Sequence, residues 1–280
     1  MTVINTNINS YSAQVEMKKV DRDLNTNMER LSSGFRINAA DDDAAGLAIT
    51  ERMTSQIRGA NMAARHAADA ISMLQTAEGA LTEVSNLMQR MRELAVQATS
   101  ETYSSSDLAK INTEYQELEE EVSRIVSQTK WNTIGLLDGT GGSSTNGTFK
   151  IQVGADSGMT IDVTIGTMST AANAALNDLA GLAVDTLATA SHSISKIDLA
   201  FEDLNTKRAN FGAAINRLTH AQDNILNFSV NQTQSRSRIL DTDYAFTMAE
   251  LAKTNIVRQA GIAMLAQANT QPQAVLQLLQ

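Results

Sequence analysis

The chain has no cysteine, one proline (Pro272) and aromatic side chains at only 4% of its 280 positions. Without cysteine, neither a disulfide nor a thiolate metal site can form, which suits a protein that works outside the cell without oxidative cross-linking. With no proline before Pro272, nothing forbids very long helices. Few aromatics, with Ala, Ser, Thr, Asn and Gln abundant, favour long helices with thin cores over one wide core. A basic excess is also missing. The net charge of −9 argues against nucleic acid or an anionic membrane surface as partner. No segment approaches the ~20 apolar residues of a membrane span. The opening MTVINTNINSYSAQ lacks the basic region and apolar core of a secretory signal, so extracellular placement calls for a dedicated export machine.

What is present is a heptad seam. Gly46, Met53, Ala60, Ala67, Leu74, Leu81, Met88 and Ala95 recur at one core position. Ile49, Gln56, Ala63, Ala70, Ala77, Val84, Met91 and Ala98 recur at the other. A 3-4 repeat kept this long is a coiled-coil seam, with Gln56 its single polar entry. As one helix it spans roughly 80 Å at ~1.5 Å per residue. The seam returns at Leu108, Ile111, Tyr115, Leu118, Val122 and Ile125, opened by Ser106 or Asp107 as cap. It returns again from Leu187 through Ile197, Phe201, Leu204 and Phe211 to Ile225, with Arg208 and Gln222 as polar entries that fix register. Glu114, Glu117, Glu119, Glu120 and Glu121 lie on the solvated face of the second helix.

Between these helices the character changes. Phe149, Ile151 and Val153 alternate, as do Met159, Ile161, Val163 and Ile165, with Ala155-Asp156-Ser157-Gly158 as a hairpin turn. The glycines of 139–144 are a surface loop, because no lysine follows them and no strand–loop–helix frame surrounds them. Ser229 to Arg238 shows no clear periodicity.

The ends are thin amphipathic segments. Ile4, Ile8, Tyr11 and Val15 share helical spacing, then Val20, Leu24, Met28 and Leu31. Ser32-Ser33-Gly34 breaks the helix, and Asp41, Asp42 and Asp43 open the next. These aspartates lack the alternate spacing and distant glutamate of a calcium loop, so no metal is expected. At the other end stand Tyr244, Met248 and Leu251, then Ile256, Ala260 and Ala263, and after Pro272 the apolar Val275, Leu276, Leu278 and Leu279. The expected fold class is mainly α: a long antiparallel coiled-coil bundle with paired terminal helices and a small β-hairpin region. Residues 1–44 and 236–280 form the terminal domain, packed and polymerised through Ile4, Ile8, Leu24, Leu31, Tyr244, Leu251, Leu276 and Leu279. Residues 45–235 form the core domain, with helices over 45–99, 107–128 and 187–228 and the hairpin region over about 131–170. The terminal pair is marginal alone and ordered when neighbouring copies cover it, which is the behaviour of a filament subunit.

The chain resembles bacterial flagellin, in a short form without large variable outer domains. The matching residues are Ile4-Asn5-Thr6-Asn7, Glu29-Arg30-Leu31-Ser32-Ser33-Gly34, Arg36-Ile37-Asn38, Asp42-Asp43-Ala44-Ala45-Gly46, Glu78-Gly79-Ala80-Leu81 and Arg90-Met91-Arg92-Glu93-Leu94-Ala95. Toward the C-terminus they are Ser237-Arg238-Ile239, Asp241-Thr242-Asp243-Tyr244 and Leu265-Ala266-Gln267-Ala268-Asn269. The resemblance implies a swimming-motility filament built of this chain alone. Its terminal helices would form the inner tube and its middle helices the outer tube, with the hairpin in the region implicated in supercoil switching. It implies type III export with a chaperone on the C-terminal segment, folding beneath a cap protein, and junction proteins joining filament to hook. It also implies recognition by a flagellin-sensing Toll-like receptor through Arg90, Leu94 and Glu114, with Gln89 beside them. Asp41 and Phe35 depart from residues common among relatives, and Asp41 alters charge contacts between subunits.

A hook–filament junction protein is the alternative. An enzyme is not expected. His66, His192 and His220 are far apart in sequence, and no His-Glu-x-x-His or Gly-x-Ser-x-Gly motif occurs. No cofactor is implied. Asn146-Gly147-Thr148 has the form of a glycan acceptor.

Overall fold

The computed structural model describes residues 6–142, 147–168, 176, 179 and 181–277, with side chains up to 270. Ile4, Asn146 and Leu279 lie outside the described residues, and the side chain of Leu276 is likewise not described. Five helices and two hairpins make up the described chain: α1 (Ile8–Ser33), α2 (Ala44–Ala98), α3 (Ser105–Gln128), β1 (Lys130–Trp131), β2 (Ile134–Gly135), β3 (Thr148–Gln152), β4 (Thr160–Thr164), α4 (Leu187–Leu240) and α5 (Tyr244–Gln277). The fold is a helical bundle with a small β region. Two compact units divide it, residues 1–55 with 231–280 and residues 56–230. The boundaries fall inside α2 and α4, not at the 44/45 and 235/236 junctions that the polar segments suggest.

In the larger unit α2, α3 and α4 share one core. Its fully buried side chains include Leu74, Leu81, Met88, Met91, Tyr115 and Phe211. The seam of α2 is buried at every expected position from Ala60 to Ala98. Nearer its start it steps over by one residue: Thr50 and Ile57 are buried, while Ile49 is 38% exposed and Gln56 half-buried. The 3-4 alternation continues in opposite phase, so the polar Gln56 is not a core residue after all. Val126 likewise lies deeper than Ile125, Leu187 is 46% exposed, and the cap of α3 is Ser104 rather than Ser106 or Asp107. Arg208 enters the seam with its guanidinium 3.6 Å from Glu78 of α2.

The longest departure from the sequence expectation is α4, which does not stop near 228 but runs to Leu240. Beyond Ile225 its inward positions are Ser229, Gln232 and Arg236, still spaced by 4 and 3. The Ser229 hydroxyl donates to Asn61 Oδ1 at 2.9 Å, and Arg236 donates to Thr54 Oγ1 at 3.2 Å. The seam persists with hydrogen bonds in place of apolar packing, which is why hydrophobic periodicity loses it.

Hairpin β3–β4 pairs Thr148 with Thr164 through Gln152 with Thr160. A second, unforeseen hairpin pairs Lys130 with Gly135 and Trp131 with Ile134. Its two turn residues, Asn132 and Thr133, have φ of 46° and 69°, the signs a tight two-residue turn demands.

Candidate self-association surface

The smaller unit is built on α1 and α5, which run antiparallel. Asn7 donates through its side chain to the Ala268 carbonyl at 2.8 Å, and Ser10 Oγ donates to Asn269 Oδ1 at 2.7 Å. Further along, Arg258 stands 3.8 Å from Asp21. Between these points Gly261 admits Met17, since a Cβ there would lie 2.4 Å from the Met17 sulfur.

A clasp closes the far end of the pair. Gly34 ends α1 at φ +77°, where its lack of Cβ removes the strain. Phe35 then bridges Asp241: Arg36 N donates to the Leu240 carbonyl at 2.7 Å and Thr242 N to that of Gly34 at 3.0 Å. Asp42 Oδ2 accepts from the backbone of Asn38 and Ala39, and Arg30 lies 3.6 Å away. The Asn38 amide, chiefly, then that of Ala39 and the Arg30 charge hold the Asp42 carboxyl below the ordinary carboxylate value, against the opposing effect of burial. Asp43 accepts from Gly46 N and caps α2, whereas Asp41 is exposed.

The α5-facing stripe of α1 is Ser10, Ala13, Met17, Val20, Leu24 and Leu31, all buried or half-buried. At 100° per residue, Ile8, Tyr11 and Val15 fall on the opposite side, 64%, 70% and 40% exposed. Of the residues expected in terminal-helix packing or polymerisation, Ile8 therefore does not pack against α5. Lys18, Lys19 and Arg22 continue its stripe. On α5 the inward positions are Thr247, Leu251, Thr254, Gly261, Leu265 and Ala268. Phe246, Val257 and Met264 occupy one flank, and Tyr244, Met248 and Ile262 the other; all six are exposed. Tyr244 is 56% exposed, with its hydroxyl lying over Gly34 of the clasp. Apolar surface is left on the back of α1 and on both flanks of α5.

Charge is distributed to match. Residues 1–55 and 231–280 carry 11 acidic and 10 basic side chains; residues 56–230 carry 20 and 12. The apolar faces belong to a unit of almost no net charge.

In the larger unit Arg90 of α2 donates to Glu114 of α3 through Nε and Nη2 at 3.0 and 2.8 Å, and to Glu93 at 3.1 Å. Gln89 is exposed beside it, and Leu94 is 2% exposed beneath. No group of three His, Asp or Glu side chains among the described residues could hold a metal, and no described helix is long and apolar enough to cross a membrane.

Paired terminal helices with exposed apolar faces in one unit, and an acidic helical bundle in the other, fit a self-associating structural protein. Residues 4–141 match the bacterial flagellin N-terminal helical region and residues 194–279 the C-terminal helical region. The chain is 48% identical to a flagellin of Halalkalibacterium halodurans, over 90% of each chain. It is 39% identical to a flagellar filament core protein of Brachyspira hyodysenteriae, over 99% of this chain and 100% of that one. A crystal structure of Bacillus cereus flagellin, 32% identical, superposes at TM-score 0.50 over 57% of this chain and 88% of the other. The chain belongs to the bacterial flagellins.

Proposed function

We infer that this chain is the structural subunit of a flagellar filament, and that it polymerises through its terminal unit. The carrying observation is the distribution of apolar surface on that unit. One neighbour can cover a single face, but Ile8–Tyr11–Val15, Phe246–Val257–Met264 and Tyr244–Met248–Ile262 point in different directions. Covering all three takes several copies and not one partner, and heterologous contacts that do not close generate a helical polymer.

Within this reading the terminal unit forms the inner tube and residues 56–230 the outer tube of a filament outside the cell. Export proceeds through the flagellar type III apparatus, with a chaperone for the C-terminal segment, a cap protein at the growing tip and junction proteins at the hook. Receptor recognition is assigned to the Arg90–Glu114 pair with Gln89. Leu94, 2% exposed beneath the pair, is assigned to the same contact. The reading assigns no reaction to the chain.

Electron microscopy of purified protein, before and after seeding with filament fragments, tests the inference alongside limited proteolysis. Long tubes whose termini resist a protease that trims the free chain are expected. A protein that stays monomeric with protected termini contradicts it. For the receptor contact, Arg90→Ala should lower signalling in a reporter assay; an unchanged signal refutes that assignment.

A further inference from the structure

The chain has twelve methionines and no cysteine, so the thioether is its only oxidisable sulfur. Among the described methionines Met28, Met62, Met159, Met248 and Met264 are exposed, and the others are half-buried or buried. Met88, Met91 and Met168 are fully buried and Met73 is 5% exposed, whereas Met248 and Met264 are 55% and 66% exposed. Of the exposed methionines only Met248 and Met264 lie on α5, on opposite flanks and each within an apolar stripe: Met248 with Tyr244 and Ile262, Met264 with Phe246 and Val257. Neither stripe has a described partner within the chain for these sulfurs.

We propose that Met248 and Met264 are oxidation sites open in the free subunit and closed in the polymer, and that their sulfoxides block assembly. The proposal rests on polymerisation through the terminal unit. The step needs a peroxide. The sulfur lone pair attacks one peroxide oxygen, the O–O bond breaks, that oxygen stays on sulfur, and the other leaves as water. The thioether is oxidised and the peroxide reduced. The product is polar and chiral where the flank was apolar. Burying a sulfoxide without a hydrogen-bond donor opposes association by about tenfold at each site. Once copies cover the flanks, peroxide no longer reaches the sulfurs. Oxidant would therefore act on free subunits and spare finished filament.

The test uses the full chain, treated with hydrogen peroxide as free subunit and as filament, with peptide mass mapping and seeded polymerisation. Met248 and Met264 should gain one oxygen in the free chain and stay unmodified in filament, while Met88 and Met91 stay unmodified in both. The critical concentration of the oxidised subunit should rise at least about tenfold and return after treatment with methionine sulfoxide reductases. The Met248→Leu/Met264→Leu protein keeps volume and apolarity, so it should polymerise normally before and after peroxide. Oxidation of both sites with unchanged critical concentration overturns the proposal. So does loss of assembly by the peroxide-treated double variant, or equal oxidation of both sites in filament. Failure of untreated protein to polymerise would instead remove the filament reading on which the proposal stands.

Discussion

Thr133 sits at φ 69° in the β1–β2 turn. A β-branched residue there costs on the order of 1 kcal/mol or more, because its Cβ crowds the backbone. Thr133→Gly should therefore raise unfolding stability by about 1 kcal/mol, read as a higher denaturation midpoint at unchanged m-value. Tyr115 is the converse case: a fully buried ring whose hydroxyl makes no well-formed hydrogen bond, because the neighbouring Ser193 hydroxyl donates to the Ala183 carbonyl instead. Burial drives its ionisation far above the ordinary tyrosine value. Tyr115→Phe removes an unsatisfied group while keeping shape, so stability should hold or rise by up to about 1 kcal/mol. A loss above that in denaturant titration would show that the hydroxyl is satisfied. Neither effect is legible in the sequence, where Tyr115 is simply a seam position and Thr133 an ordinary residue between strands.

For the elements, the polar end of α4 is the informative case. Ser229→Ala removes the donor to Asn61 and should cost about 1 kcal/mol, measurable by thermal unfolding against an exposed-site control such as Ser195→Ala. The clasp gives a pH dependence. The folded-state pKa of Asp42 is depressed, so its contribution is present above the ordinary value of 3.8 and fades as pH falls through the lower folded value. Asp42→Asn should destabilise at neutral pH and flatten the acid limb of the stability profile below pH 4; an unchanged limb would remove Asp42 from the acid response. The start of α2 was readable from its aspartates, and the core heptads from Ala60 onward and hairpin β3–β4 from apolar spacing. The α4 extension was not. A helix whose inward positions are Ser229, Gln232 and Arg236 looks aperiodic until Asn61 and Thr54 are seen opposite two of them.

For the whole molecule, charge and apolar surface are separated. In the proposed filament the acidic larger units repel one another, while the near-neutral terminal units add little net repulsion. Raising ionic strength from about 0.01 M to 0.15 M shortens the Debye length from roughly 30 to 8 Å, so the critical concentration for polymerisation should fall. A rise would mean that attraction between charges, such as Lys18, Lys19 and Arg22 with a neighbour's carboxylates, dominates the contact.

The sequence by itself determined the helical class, the antiparallel return of the chain and the pairing of its two ends. Each follows from spacing: a 3-4 repeat, a break at Ser32-Ser33-Gly34 and apolar residues at both termini admit few alternatives. Only the tertiary structure decided which face of α1 turns inward. Both of its stripes have helical period, and hydrophobicity alone favours burying Ile8, Tyr11 and Val15. The pair instead buries Ser10, Ala13 and Met17, because small side chains and a glycine at 261 let the backbones approach and the Ser10–Asn269 bond form. Over this first part of α1 the more apolar residues are left outside, where in the proposed filament a neighbouring copy covers them.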